Sequence, residues 1–430
     1  MTHIESIPAD WGHRHSKRRL QKFTDPQLPR GVEFIVPPPP EACSFIDRLL
    51  VYASSLIVVG SPIWFYGGII YLFRRWKHYR YLASREVAKP EDDATIENEG
   101  KQTQQELKQY KKFDKMARKC AITLATIIIL SIWGPHRNKH LGDFLKVRKW
   151  RLWDAWLRYI GFTVLQDKGN DYNKLDEMET LSTPKSSDPE FDVKTSPAIY
   201  AFVPHGIFPF ALAFACLPEQ GYSETWGLFR PVVATATKLF PLVRTLISWM
   251  DGVDASRSAV SRALSLSNDA GGAYRRVGIS PGGIAEMFET YPKSGFHRND
   301  EAALLKQRNG IFKLALKHKL PIIPVYCFGA TKMLRRVQLP EFMETLSRAL
   351  KISLCLFFGK FGLPIPFRQK LMYVVGRAIL PPSEATNALT GEQFDIVVQE
   401  MHEKFCDEIV RIFNNNKEYY GWGDKTLRII

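Results

Sequence analysis

The sequence predicts an α/β core preceded by one or two hydrophobic membrane segments. Three observations predict it. Leu49 to Phe73 carries no charge over about 25 residues, enough to cross a bilayer. From Trp150 to the C-terminus, strand and helix signals alternate. Within that region the apolar, β-prone run Ala198–Val203 stops at Pro204-His205-Gly206, the pattern of a strand that holds one side chain at the lip of a sheet.

In chain order, residues 1–42 are basic and end in Pro37-Pro38-Pro39-Pro40, which predicts a disordered tail with a stiff stop. Residues 43–75 form the first membrane segment, bordered by Arg74, Arg75, Trp76 and Lys77. Gly60-Ser61-Pro62 interrupts it and leaves two topologies open, a kinked span or a re-entrant hairpin. Residues 76–119 read as a charged linker. Residues 120–135 read as a second, shorter membrane segment, with the Pro135-His136 pair at its border. If both segments span, the basic linker sits on the side that the positive-inside tendency disfavours; a hairpin avoids this. Residues 136–430 are the predicted catalytic domain, with a polar insertion at about 166–197. Near its start, Trp150, Trp153, Trp156 and Leu157 recur at helical spacing, either as a membrane-facing stripe or as an ordinary core stripe.

Composition narrows the class. The chain has 430 residues and a formal net charge of +15, so it suits an anionic partner. Its ten Trp lie among apolar and basic residues, which favours a membrane surface over nucleic acid. No zinc-ligand spacing or RNA-binding signature appears. The six cysteines are scattered, and no C-x-x-C or Asn-x-Ser/Thr occurs, which predicts reduced thiols on a cytosolic face. The polar N-terminus does not read as a signal peptide.

His205 is the leading candidate for chemistry, because imidazole is the side chain best matched to proton transfer near neutral pH. The second candidate is the run Arg275 to Glu286. There a short strand enters the turn Ser280-Pro281-Gly282-Gly283, whose backbone N–H groups suit an oxyanion or a phosphate. Glu286 either orients His205 or simply favours a helix start. Gly278-x-Ser280-x-Gly282 matches a serine nucleophile elbow only superficially. The residue after the serine is Pro281, which has no N–H to give an oxyanion hole. A third stretch, with Lys306, Arg308 and Lys313 around a helix start, offers cations for phosphates or merely a solvated face.

The order of these motifs resembles the diacylglycerol acyltransferase type 2 family, which includes monoacylglycerol acyltransferases and wax synthases. Strand–Pro-His-Gly is followed by Gly-Gly-x-x-Glu, then Arg308-x-Gly310-x-x-Lys313-Leu314-Ala315 and the Pro324-Val325 strand. Trp153–Tyr159, Pro364-Ile365-Pro366, Tyr373–Ile379 and Asn416–Gly421 are further echoes, so the resemblance covers roughly residues 150–430. It implies a membrane-anchored, acyltransferase-like α/β core. The family's His-Pro-His-Gly block falls on Val203-Pro204-His205-Gly206, so its catalytic second histidine is His205 and its first is Val203 here. Gly329-Ala330-Thr331 stands where relatives often carry Gly-Glu-Asn. The His-x4-Asp pattern of glycerophosphate acyltransferases is broken by Phe210.

The resemblance implies transfer of a fatty acyl group from acyl-CoA, a co-substrate, to diacylglycerol, with no further cofactor and no metal. His205 is then the base, Glu286 its partner, and Gly282 and Gly283 the oxyanion donors. Pro204 and Gly206 complete the motif, and Arg275, Arg276, Arg308 and Lys313 receive the CoA phosphates. Ile207–Leu217 becomes an acyl channel or plain core, and Leu354–Phe367 a lipid-facing flap or plain core. It places the protein in the endoplasmic reticulum membrane, with the catalytic domain facing the cytosol, or on lipid droplets, and leaves homo-oligomerisation open. Monoacylglycerol or a wax alcohol is the alternative acceptor, and a non-catalytic membrane scaffold the alternative of another class.

Overall fold

The computed structural model describes residues 25–87, 96–132, 145–169, 196–218, 225–265, 275–289, 293, 295–350, 355–382 and 391–430. They divide into two compact units: residues up to 52 with 146–234 and 252–430, and residues 53–145 with 235–251. Segment 235–251, which carries helix α6 (Pro241–Trp249), therefore leaves the predicted catalytic domain and groups with the helices of the second unit. Pro135-His136 and most of the predicted insertion lie outside the described residues.

The second unit is helical. Helix α1 (Phe45–Val58) is capped by reciprocal hydrogen bonds between Ser44 and Asp47 and runs into this unit. It is followed after a 49° bend by α2 (Ser61–Val87). The bend falls at Gly60-Ser61-Pro62, where Pro62 has no N–H to continue the ladder. The Trp64 indole spans the break, donating to Ile57 O at 3.0 Å. Among the described residues no single helix is long and apolar enough to cross a membrane; α1 and α2 together meet that test by length and composition. Within the predicted charged linker, residues 76–87 continue α2 and residues 96–119 begin α3 (Ile96–Ile132), which runs unbroken into the second apolar stretch and packs along α2; residues 88–95 lie outside the described residues. Lys, Glu and Gln are good helix formers, so charge alone did not make this segment irregular.

The first unit is built on an eight-stranded sheet. Its strands are β1 (Val32–Val36), β2 (Thr163–Asp167), β3 (Ala198–Val203), β4 (Arg230–Val233), β5 (Val253–Asp254), β6 (Arg276–Ile279), β8 (Ile322–Phe328) and β11 (Met372–Val375). They are ordered β1-β2-β11-β8-β3-β6-β4-β5. The run from β8 to β5 is parallel, as expected for strands buried on both faces. β1 pairs antiparallel with β2, so the end of the predicted disordered tail is an edge strand: Val32, Phe34 and Val36 turn to the protein. A small pair, β7 (Asp300–Ala303) with β12 (Thr426–Ile429), lies apart from the large sheet.

The period-two alternation of β3 sorts its side chains. Ile199, Ala201 and Val203 enter an aliphatic core with α7 (Arg257–Leu264), α9 (Gly310–His318) and α11 (Glu392–Tyr420). Tyr200 and Phe202 enter an aromatic core with Trp226, Phe229 and Tyr373. Helix α4 (Arg151–Ile160) buries Trp153, Trp156 and Leu157, so these three of the predicted stripe face core, whereas Trp150 at the helix start is 42% exposed. Helix α5 (Phe210–Cys216) is buried except for half-buried Ala213, so most of the segment after His205 packs as core.

Candidate active site

From β3 the chain moves to β4 and β5 on one side. β6 then returns to lie beside β3, and β8 takes its other flank. The carboxyl ends of β6, β3 and β8 thus meet at a topological switch point, the usual place for a ligand in an open α/β sheet. Three loops leave there: His205-Gly206 after β3, Ser280–Gly283 after β6 and Gly329–Thr331 after β8.

His205 is half-buried. Its Nδ1 lies 2.7 Å from Gly206 O. A carbonyl only accepts, so Nδ1 carries the proton and Nε2 keeps its lone pair. Burial pushes this imidazole below its usual 6.5, against a weaker upward pull from the Gly206 hydrogen bond. The ring is therefore neutral at pH 7. Gly206 has φ +70°, and a Cβ there would meet Ala330 O at 2.7 Å, so only glycine lets the β3 and β8 loops approach this closely. Val203 turns into the aliphatic core, away from the loop that holds His205.

Glu286 is 1% exposed and closes α8 (Gly283–Glu286). Its Oε2 accepts the backbone N–H of His205 at 2.6 Å, and its Oε1 accepts the N–H of Leu304 at 3.0 Å. It therefore holds the backbone of His205 and makes no hydrogen bond with the ring. The catalytic role predicted for it becomes a positioning role. Burial pushes its carboxyl up to about 7, while the N–H bonds from His205 and Leu304 and the charge of Arg308 pull the other way. Gly282 makes room for it: a Cβ there would stand 2.5 Å from the Glu286 carboxyl.

The oxyanion assignment divides. Gly283 N–H already donates to Ser280 O at 3.1 Å, whereas Gly282 N–H has no hydrogen bond among the described residues. The cations divide too. Arg308 is half-buried, close enough to Glu286 to act on its charge, and its guanidinium makes no hydrogen bond among the described residues. Lys313 is paired with exposed Asp395 at 2.8 Å, a solvated surface pair. Arg275 and Arg276 sit at the amino end of β6, opposite His205. Arg276 is 1% exposed and donates to Leu228 O, Ser196 O, Trp226 O and Tyr200 Oη. Arg275 donates to Leu264 O and His318 O, the carbonyls at the ends of α7 and α9. Both guanidiniums are committed to the protein's own carbonyls, at the end of the sheet away from His205.

Sequence reasoning missed three contributors. The Leu304 N–H and the Ala330 carbonyl are backbone groups, with no side-chain signal to find. Buried Glu301, on β7, accepts from Thr331 Oγ1 at 2.6 Å and pairs with Lys332 at 2.7 Å, fixing the loop after β8. Among the described residues no group of three His, Cys, Asp or Glu is disposed to hold a metal.

These features define an α/β protein with a single-histidine site at the switch point of its sheet. The chain belongs to the diacylglycerol acyltransferase family: the model described as "Diacylglycerol acyltransferase" matches residues 188–430, more than half of the chain. It is 29% identical over 238 residues to mouse 2-acylglycerol O-acyltransferase 1, covering 52% of this chain and 66% of that one. It is 26% identical over 315 residues to mouse acyl-CoA wax alcohol acyltransferase 1, covering 70% and 83%. It is 28% identical over 249 residues to zebrafish diacylglycerol O-acyltransferase 2, covering 54% and 64%. The chain thus spans just under two thirds of the length of the first and third of these relatives. No solved structure matches it.

Proposed function

We propose that this protein transfers a fatty acyl group from acyl-CoA to the hydroxyl of a lipid alcohol, with diacylglycerol as acceptor and triacylglycerol as product. The observation that carries the proposal is the His205 ring, neutral at pH 7, with Nδ1–H tied to Gly206 O and the Nε2 lone pair left to accept a proton. An alcohol is a weak nucleophile until a base takes its proton as the new bond forms. In the step, Nε2 removes the hydroxyl proton, the oxygen attacks the thioester carbonyl, and negative charge builds on the carbonyl oxygen. Gly282 N–H is the donor available for that oxygen. Collapse of the intermediate breaks the C–S bond, and the proton on Nε2 passes to the departing CoA thiolate. Glu286 fixes the imidazole by holding its backbone, and Arg308 supplies positive charge for a CoA phosphate.

Membrane residence belongs to the same proposal. Both lipid substrates dissolve in a bilayer, and α1 with α2 supplies the apolar length; the endoplasmic reticulum membrane, with the site on the cytosolic face, is the expected setting. The test is an acceptor panel on purified protein with labelled acyl-CoA. Triacylglycerol formation from diacylglycerol should exceed transfer to monoacylglycerol or long-chain alcohols. A faster rate with either of those reassigns the acceptor, and no transfer to any of them favours the scaffold reading.

A further inference from the structure

β9 (Arg335–Arg336), helix α10 (Glu341–Leu350) and β10 (Phe357–Phe358) follow β8, and the turn after β10 carries a large apolar side chain where burial would be ordinary. Phe361 is 78% exposed, although hydrogen bonds fix its turn closely: Gly359 N to Leu363 O at 2.7 Å, Lys360 N to Ile365 O at 2.7 Å, and Leu363 N to Lys360 O at 3.0 Å. Its backbone is left-handed, φ 58° and ψ 21°, a conformation that bulky residues seldom adopt. The fold thus holds this ring outward on a rigid turn. Leu356 and Leu363 beside it are also exposed.

The turn does not stand alone. The Phe361 ring meets Tyr52 of α1 edge-on, with centroids 6.0 Å apart, and Lys360 Nζ donates to the Tyr52 hydroxyl at 3.0 Å. Phe45, Ile46 and Leu49, on the same first part of α1, are exposed as well. Asp47 accepts two hydrogen bonds from Arg158, at 2.9 and 2.7 Å, so this part of α1 is locked to α4. The result is one apolar surface made by the start of α1 and the 356–363 turn, with exposed Arg48 on α1, exposed Arg368 close enough to Cys43 and Tyr159 to act on them, and exposed Glu41 at 3.5 Å from Arg158.

The geometry points to a second lipid contact: the turn Lys360–Leu363 enters the interface of an anionic bilayer, with Phe361 as its wedge, beside the start of α1. This rests on the membrane residence proposed above. Two features select a bilayer as the occupant. The surface is continuous with the helix that opens the bent apolar pair, and Arg48, Lys360 and Arg368 outnumber exposed Glu41 beside it, a balance that suits an anionic headgroup layer. Aromatic rings favour that depth, and the Lys360 ammonium, held over the Tyr52 and Tyr159 rings, adds a cation at the same place. The contact sets the first unit against the leaflet that supplies the lipid acceptor.

The experiment uses the full chain reconstituted in vesicles of phosphatidylcholine and phosphatidylserine. A benzoylphenylalanine photocrosslinker replaces Phe361 in one variant, Leu49 in a second and exposed Glu400 of α11 in a third. Lipid adducts at 361 comparable to those at 49, with none at 400, are expected. Adducts at 361 no stronger than at 400 overturn the proposal, and this readout needs no acyl transfer, so it stands apart from the activity claim. A kinetic arm separates a lipid role from a structural one. Asparagine tolerates the left-handed turn better than phenylalanine, so Phe361→Asn should leave thermal stability and kcat intact while raising KM for a vesicle-borne acceptor about tenfold. KM for a monomeric short-chain acceptor should not move, and Phe361→Trp should restore the vesicle value. Equal losses with both acceptors, or no loss with either, overturn it.

Discussion

At the carboxyl ends of β3, β6 and β8, polar groups are held but not satisfied. Among the described residues, His205 keeps one ring nitrogen open, Gly282 N–H has no acceptor, and the Arg308 guanidinium makes no hydrogen bond. At the amino ends of the same strands, the polar groups close on the protein itself. Arg276 spends its donors on three carbonyls and a tyrosine hydroxyl, Arg275 caps two helix ends, and His318 Nε2 lies 2.9 Å from Ser261 Oγ. Both ends carry arginine, histidine and serine, so residue type does not separate a site from a clamp. What separates them is whether the fold has already supplied the partner. A buried guanidinium saturated by carbonyls stabilises; a half-buried one without an acceptor is available to a ligand.

Substitutions at the two ends should separate accordingly. His205→Ala should lower kcat about 10²–10⁴-fold, the usual worth of a positioned base, with thermal stability nearly unchanged. Wild-type turnover in that variant would assign the base elsewhere. Arg276→Met should do the reverse. It strips several charge-assisted hydrogen bonds and leaves buried carbonyls unpaired, so a loss of about 3 kcal/mol or more is expected in denaturant unfolding. KM for acyl-CoA in the folded fraction should stay at the wild-type value; a rise would return Arg276 to the site.

Glu286→Gln sharpens the contrast within the carboxyl end. The amide keeps one acceptor and turns its NH2 toward an N–H that the carboxylate accepted, which costs about 1–3 kcal/mol. With the His205 backbone less firmly held, kcat should fall about tenfold, since misplacement of a catalytic group is expensive. A normal kcat in a destabilised protein would leave Glu286 a purely structural residue. Arg308→Met should raise KM for acyl-CoA about tenfold and leave unfolding unchanged, as for loss of one charge-assisted phosphate contact. Unaltered KM would remove it from the CoA path.

The smallest expected effect is in the pH profile. The His205 pKa lies below 6.5, so the active neutral ring is lost only as pH falls beneath that value. The Glu286 carboxyl sits at about 7, and its anion accepts the His205 N–H better than its acid does. The rate should therefore rise through pH 7 and keep a second inflection below 6.5. Glu286→Gln should erase only the upper step. Stability runs the other way for this carboxyl: its folded pKa is above the ordinary 4.5, so its contribution is fully present below 4.5 and is lost as pH rises through 7.

The residues that were legible in sequence share one property, that a local pattern dictates them. The unbroken apolar run of β3, the Pro-His-Gly stop and the glycines of the β6 turn announce a strand end and a tight loop. β1 was hidden by the prolines after it, although Val32, Phe34 and Val36 alternate as a half-buried strand should. The helices across the charged linker were legible by propensity and obscured by charge. The tryptophan stripe of α4 had the right period, but period alone does not say whether a helix faces lipid or core. The fates of Arg275 and Arg276 were not legible: the carbonyls that claim them come from segments 11 to 80 residues away. The acceptor of the Gly283 N–H, by contrast, is the nearby Ser280 carbonyl, and a turn of two adjacent glycines does not show which N–H it closes and which it leaves open.

The central claim concerns one lone pair, and the most direct measurement is the distance from it to the acceptor oxygen. A structure of the full chain with diacylglycerol and an unreactive acyl-CoA analogue should place the free hydroxyl about 2.6–3.2 Å from His205 Nε2, or within reach through one water. An acceptor hydroxyl bound beyond that reach, or an acyl group found covalently attached to another side chain after reaction with acyl-CoA, would contradict the account.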